Sequence, residues 1–271
     1  MPKGRVRQLA KLRLKSLLFR LPSGKWNPRE KSGRSVRLLA VTAVRDEARS
    51  LPGLLRNLAP QVDGIVALDD GSCDGSLRLL EECPRVLQVL RNPPRRPGWD
   101  EPGDFQRLVA AALVHGAEWL IAVDADERLE RDFRARAERV IRLGGRLGLR
   151  AFQVRIRELW DAPDRYRADG IWGLKWAPRF FRALPGLQFD ARPLHAAKAP
   201  RQGKVFGVFP LADLYIYHLR MLRPEDREAR RRRYEALDPH ALCQPVMGYA
   251  YLTDERGLRL RAVPRQRGFT E

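Results

Sequence analysis

Three short acidic clusters stand out in a chain otherwise rich in cations: Asp46-Glu47, Asp69-Asp70 and Asp124-Ala125-Asp126-Glu127. Each directly follows an apolar run. Crowded carboxylates are costly unless a cation sits among them. A hard divalent ion shared between carboxylates and substrate phosphates is an economical way to neutralise such a set. Asp124 and Asp126 are two apart, so at a strand end both are expected to point into one cleft. A single Asp-x-Asp is more often a solvated loop or a helix cap. Three acidic clusters at three strand ends read as a site.

The clusters share an edge only if strands and helices alternate. Residues 36–44 (VRLLAVTAV) form a near-continuous apolar run, as suits a parallel strand buried on both faces. Residues 65–68, 86–90 and 119–123 read as three more strands. Ser50 and Pro52 open a helix whose face carries Leu51, Leu54, Leu55 and Leu58. Residues 76–82 give a second helix. Phe105, Leu108, Val109 and Ala112 mark a third, after a Pro- and Gly-rich loop over 92–103. Phe133, Ala137, Val140 and Ile141 mark a fourth, ending at Gly144-Gly145. This pattern predicts a doubly wound α/β sheet with its ligand at the carboxyl ends of the strands.

With these residues in place, a family resemblance emerges. Residues 41–48 (VTAVRDEA) resemble the opening of glycosyltransferase family 2, where Arg/Lys-Asn-Glu follows the first strand; Asp46 stands here for the usual Asn. Residues 66–76 (VALDDGSCDGS) resemble that family's DDGSxDGT turn, and residues 119–127 (WLIAVDADE) its DADE metal motif. Order and spacing agree over residues 36–135. The resemblance implies a GT-A fold, a Rossmann-like doubly wound mixed α/β sheet, and a nucleotide-sugar donor. It implies that Glu47, Asp69 and Asp70 line the base and ribose pocket. It also implies that Asp124 reaches the donor and that Asp126 holds Mn2+ or Mg2+ against the diphosphate. The implied chemistry is inverting displacement at the anomeric carbon. Metal and Arg offset charge on the leaving diphosphate, and a carboxylate takes the acceptor proton.

Residues 151–159 alternate as a half-exposed strand. Residues 177–182 (APRFFR) resemble the RLFR strand of lipopolysaccharide-core-type members, where a His follows as His195 does here. This implies that His195 completes the metal site. Arg179 and Arg182 read as contacts to the donor diphosphate or the acceptor. Those relatives often place Glu directly after the His; here it is Ala196, so no base is carried over. Asp169 and Asp190 are the candidates by position, with Asp169 preferred in its Arg-Ala-Asp-Gly turn. His218 is read either as a diphosphate contact or as a packed strand-end residue. Trp160, Trp172 and Trp176 read either as an acceptor platform or as core.

The 271 residues carry 52 Lys+Arg against 33 Asp+Glu, a net charge of +19. Bulk charge of this sign calls for an anionic partner. Twelve Lys/Arg and one acid lie in residues 1–37, where leucines alternate with basic residues. A helix of that pattern suits an anionic membrane surface, through residues 1–25. Four regions are expected: the basic amphipathic segment and linker (1–34), a nucleotide-sugar-binding half (35–145), an acceptor-side half of the same domain (146–219), and a C-terminal basic helix with its tail (220–271). No apolar run approaches the ~18 residues of a membrane span. The basic start lacks a signal-peptide pattern, and three cysteines without CxxC spacing fit a reducing compartment. The expectation is a cytoplasmic enzyme, peripheral on the inner membrane face, that acts on a glycan or lipid-linked acceptor in cell-envelope synthesis. A nucleotidyltransferase would usually carry a Gly-rich loop after the first strand, yet no glycine occurs there until Gly53. A basic nucleic-acid-binding protein does not call for acids at three strand ends, so no nucleic acid is expected.

Overall fold

The computed structural model describes residues 36–94, 100–191, 197–244 and 247–270. The expected amphipathic segment over 1–34 and His195 lie outside the described residues. In chain order the elements are β1 (Leu38–Val44), α1 (Leu51–Leu58), β2 (Gly64–Asp69), α2 (Ser76–Glu81), β3 (Val86–Arg91), α3 (Glu101–Val114), β4 (Trp119–Ala122), β5 (Glu127–Leu129), α4 (Phe133–Arg146), β6 (Ala151–Trp160), β7 (Ala162–Arg167), β8 (Trp176–Arg182), β9 (Leu211–His218), α5 (Pro224–Leu237) and β10 (Leu260–Ala262).

The strands form one mixed sheet in the order β10-β7-β6-β8-β4-β1-β2-β3, with β9 pairing both β5 and β6. β3, β2, β1 and β4 are parallel. β8 then joins β4 antiparallel and carries the sheet into its second half. Chain order reverses direction between β1 and β4. A crevice opens at such a switch point because the helices leave the two strands toward opposite sides.

Strand alternation separates two cores. Leu38, Ala40, Ile65, Ala67 and Ile121 pack under α1, α2 and α4. Leu39, Val41, Val66, Leu68, Leu120 and Ala122 pack under α3. Thr42 continues the first set and Ala43 the second. Ala43 is exposed although β1 is central, because it opens on a cleft that the start of α3 also lines.

Two expectations are corrected. The loop expected over 92–103 ends earlier, since α3 begins at Glu101. Asp100 accepts the Gly103 N–H at 3.0 Å, and Pro102 sits in the first turn where its missing N–H costs nothing. α4 runs through Gly144-Gly145 to Arg146. Gly144 is a packing requirement, because a Cβ there would lie 2.5 Å from the Phe152 ring. The C-terminal tail, which carries no readable motif, is bolted on by Arg267. Its guanidinium reaches Glu130 at 2.5 and 2.8 Å and Asp213 at 2.9 Å.

Phe180 joins the two halves of the sheet. Its ring lies 5.0 Å from Trp119, 6.1 Å from Phe133 and 6.2 Å from Phe152. Phe180→Ala should therefore cost about 3–5 kcal/mol, measured as a lower urea midpoint with an unchanged slope. A loss below about 1 kcal/mol would contradict this packing account.

Candidate active site

The loop after β1 and the turn after β2 are laced together by short polar side chains. Asp46 takes a left-handed backbone (φ 55°), which Asp and Asn tolerate better than most residues. Its N–H donates to Ser72 Oγ at 3.1 Å, and its Oδ1 accepts the Cys73 N–H at 2.7 Å. The Glu47 and Ala48 N–H groups donate to Ser76 Oγ and Asp74 Oδ2, each at 2.9 Å. Gly71 is needed at φ 72°, since a Cβ would meet the Pro93 carbonyl at 2.5 Å. The small polar residues of the DDGS turn thus hold Glu47 in place.

Asp69 and Asp70 diverge, as consecutive strand-end residues do. Asp70 lines a cleft between β1, β4 and α3, floored by Val41, Ala43 and Ala122 and shared with Asp104 and Asp124. Arg45 pairs with Asp70 at 3.0 Å, while Asn92 Nδ2 donates to Asp70 at 2.7 Å and to Asp104 at 3.1 Å. Asp69 instead accepts the N–H of Ser72 at 3.2 Å, closing its own turn. Its Oδ1 is buried without a hydrogen-bond partner among the described residues.

The two aspartates of the Asp-x-Asp turn also separate, contrary to the single cleft expected. Asp124 faces the α3 cleft. It accepts from Arg179 Nη2 at 2.8 Å and from Lys198 Nζ at 2.6 Å. Desolvation pushes the Asp124 carboxyl up, but Arg179 and Lys198 outweigh it and hold the group far below its usual range. Glu127 keeps the turn closed by accepting the Asp124 N–H at 2.8 Å and Arg179 at 3.1 Å. Among the described residues Arg179 Nη1 is a buried donor without an acceptor. This orphaned donor, beside Lys198, fits an oxyanion of a diphosphate.

Asp126 lies in a second cleft, lined also by Glu47, Arg128 and Arg220. The register of β9 decides its neighbours. His218, the last residue of β9, pairs with Glu127 across β5 and with Glu158 across β6. His218 Nε2 therefore meets Asp126 at 3.1 Å, and Nδ1 meets Glu158 at 2.5 Å. Lys175 backs Glu158, Arg220 bridges Asp126 (2.6 Å) and Glu47, and the Arg230 guanidinium stands 3.3 Å from His218 Nε2. Desolvation alone would lower His218, but Glu158 and Asp126 push it up to about 9. Asp126 is held well below its usual range, with His218 and Arg220 overcoming desolvation. Glu47 is raised by burial, despite Arg220.

His218 is thus the imidazole that the structure brings to Asp126. The line Glu158–His218–Asp126 has the form in which a carboxylate fixes the ring of a metal-binding His. Carboxylate plus imidazole would suit Mn2+ with the remaining positions left to phosphate and water, and His218 would release its proton on taking up the metal. Among the described residues no three His, Cys, Asp or Glu side chains converge as a full cage. A metal at this place would be held jointly with its substrate. The signal for His218 in the sequence was its place at the end of a predicted strand.

Asp169 is not brought into this group. Its carboxylate accepts from Arg167 at 3.0 Å through both oxygens and from the Arg259 N–H at 3.0 Å, tying β10 to β7. Burial opposes ionisation, yet these donors hold Asp169 below its ordinary value, the reverse of what a base near neutral pH requires. Trp160 and Trp172 are core residues packed edge to face at 5.6 Å, with Arg167 over Trp160 at 4.5 Å. Only Trp176 of the expected platform is half-exposed, and Arg155 covers it at 4.5 Å.

No known family profile matches the chain. Two uncharacterized proteins, Mb3815c of Mycobacterium bovis and Rv3786c of Mycobacterium tuberculosis, are 28% identical to it over 211 residues. The match covers 75% of this chain, which spans about half the length (51%) of these relatives. Among solved structures, the mannosyltransferase PcManGT of Pyrobaculum calidifontis, in complex with GDP-Man and Mn2+, aligns with TM-score 0.51 at 16% identity, covering 88% of this chain and 70% of that one. Staphylococcus aureus TarS aligns with TM-score 0.47 at 15% identity, covering 80% of this chain and 41% of that one. The likeness to PcManGT shows the fold: this chain has the GT-A architecture.

The role of Asp169 has a pH signature. A carboxyl held below its unfolded value stabilises the fold above that value and loses the contribution as pH falls through the folded one. Asp169→Asn should melt below wild type at pH 7, and the gap should close below about pH 4. A gap independent of pH would remove the ion pair from the explanation.

Proposed function

We propose that the chain is a metal-dependent glycosyltransferase. It moves a sugar from a nucleotide-sugar donor to a glycan or lipid-linked acceptor, in the manner of glycosyltransferase family 2. The observation that carries this reading is the Asp124-Ala125-Asp126-Glu127 turn at the switch point of a GT-A sheet, with each aspartate meeting its own set of cations. The GDP-Man and Mn2+ of the Pyrobaculum mannosyltransferase complex support the donor and metal class.

In this reading the α3 cleft takes the nucleoside, with Asp70 and Asp104 as acceptors for donor groups of the base or ribose. Arg179 and Lys198 bind the diphosphate from the Asp124 side, and the orphaned Arg179 Nη1 gains its acceptor there. Asp126 and His218 hold the metal, with Glu158 keeping the ring oriented. The bound metal supplies positive charge to the leaving diphosphate. The acceptor oxygen attacks the anomeric carbon as the bond to the diphosphate breaks, which inverts that centre. The acceptor proton passes to a carboxylate. With Asp169 committed to Arg167, Asp190 is the candidate left by position, 4.0 Å from Arg201.

The alternating basic and apolar residues of 1–25 support attachment to an anionic membrane surface, near a cell-envelope acceptor. No helix among the described residues is long and apolar enough to cross a membrane. Deleting residues 1–25 should release the protein from vesicles containing phosphatidylglycerol; undiminished pelleting would overturn that attachment.

A calorimetric screen of UDP-, GDP- and dTDP-sugars with and without Mn2+ tests the class and identifies the donor together. One of them should bind in a Mn2+-dependent way. Asp126→Ala should weaken that binding roughly 100-fold, ~2.7 kcal/mol, with its melting curve still cooperative. Binding that is indifferent to both metal and Asp126 would reject the mechanism.

A further inference from the structure

The two clefts flanking the Asp-x-Asp turn differ in charge. The α3 cleft is lined by Asp70, Glu101, Asp104 and Asp124 together with Lys198, while Arg45, Arg107 and Arg179 back three of these acids. The second cleft lies between the start of α1 and the β9–α5 connection. It encloses about 480 Å³ and is lined by five arginines: Arg49, Arg56, Arg128, Arg220 and Arg223. Its volume falls in the ordinary range of small-molecule sites.

Most of its polar groups already have partners. Arg49 pairs with Asp226 at 2.7 Å, and Arg220 bridges Asp126 and Glu47. Arg128 donates to the carbonyls of Ser50, Ala125 and Glu127 at 3.0, 3.0 and 2.8 Å. Asp46 accepts the Cys73 N–H. Arg56, on α1, and Arg223, just before α5, are exposed, and among the described residues neither meets a carboxylate at ion-pair distance. Two guanidiniums without a carboxylate partner among the described residues therefore stand on different elements lining one cleft, which Asp126 also lines. Guanidinium forks bind phosphate oxygens in pairs, and two on separate walls suit a tetrahedral oxyanion.

We propose that this second cleft is the acceptor site, and that it takes an acceptor bearing a phosphate group, held between Arg56 and Arg223. The inference rests on the glycosyltransferase reading. The donor diphosphate has cations of its own in Arg179 and Lys198, on the other side of the turn. A phosphate anchored at the rim leaves the rest of the acceptor to extend inward, so that its hydroxyl reaches the sugar beside Asp126. The phosphate comes either from a soluble phosphomonoester or from a phospholipid headgroup.

The test is calorimetric titration of the full chain with inorganic phosphate and with glycerol 3-phosphate. Wild type is compared with R56Q, R223Q and the double variant, each checked for an unchanged melting curve. Each single change should weaken glycerol 3-phosphate about 10-fold and the pair more than either. Binding should survive saturation with the nucleoside diphosphate, which loads the α3 cleft, and with Mn2+, which Asp126 and His218 take rather than Arg56 and Arg223. Phosphate that is displaced by nucleoside diphosphate, or bound equally by the double variant, would overturn the proposal, as would no binding at 20-fold the nucleotide Kd. If no nucleotide binds, the glycosyltransferase reading fails, while the comparison of variants still decides whether this cleft holds phosphate. Titration with a short-chain phosphatidic acid below its micelle concentration separates the sources without involving residues 1–25. Loss of that binding in the double variant assigns a lipid headgroup, and loss confined to glycerol 3-phosphate assigns a soluble acceptor.

Discussion

A carboxylate shielded from water must share its charge with a cation, and the turn between β4 and β5 sets two carboxylates two residues apart under that requirement. The turn meets it from opposite sides. Arg179 and Lys198 reach Asp124, whereas His218 and Arg220 reach Asp126. These four cations come from β8, the segment after it, β9 and the residues that follow β9. The second half of the chain is therefore required to keep the acidic edge of the first half charged. Without it, the aspartates would have to take up protons or draw in water.

Strand register delivers this arrangement. β9 lies between β5 and β6, so a single imidazole at its end is aligned with Glu127 on one side and Glu158 on the other. A slip of one residue would turn His218 to the opposite face and bring Tyr217 in its place. The hydrophobic side chains Leu214 and Ile216 guard against that slip, because it would carry them out of the core. The packing of the core and the charge balance of the site are thus fixed by the same alternation.

The parallel half was legible in the sequence because its strands are continuous apolar runs and its acids sit directly after them. Three features were not. Asp124 and Asp126 were expected to share a cleft, since spacing alone does not show that the chain turns sharply at Ala125. His195 lies outside the described residues, and the imidazole beside Asp126 is His218, placed there by a register of three strands. Pairing register over such distances leaves no local trace in a chain. Asp169 was read as a base from its turn and its aromatic neighbours, but the Arg167 fork that occupies it depends on β10, a three-residue strand with no apolar pattern. The tryptophans repeat the lesson, since Trp160 and Trp172 differ from Trp176 only in which neighbours cover them.

Arg128 has a mechanical side as well. Its guanidinium spans from the Ser50 carbonyl at the start of α1 to the Ala125 carbonyl inside the acidic turn, and Gly53 leaves the room for it. It acts as a strut, so the wall and floor of the arginine-lined cleft move as one body. A ligand entering there would meet a floor that is already assembled and would have only the exposed side chains of the rim left to order. Capture would then be governed by how fast the charged rim draws its ligand in, and release by how firmly the contacts hold it.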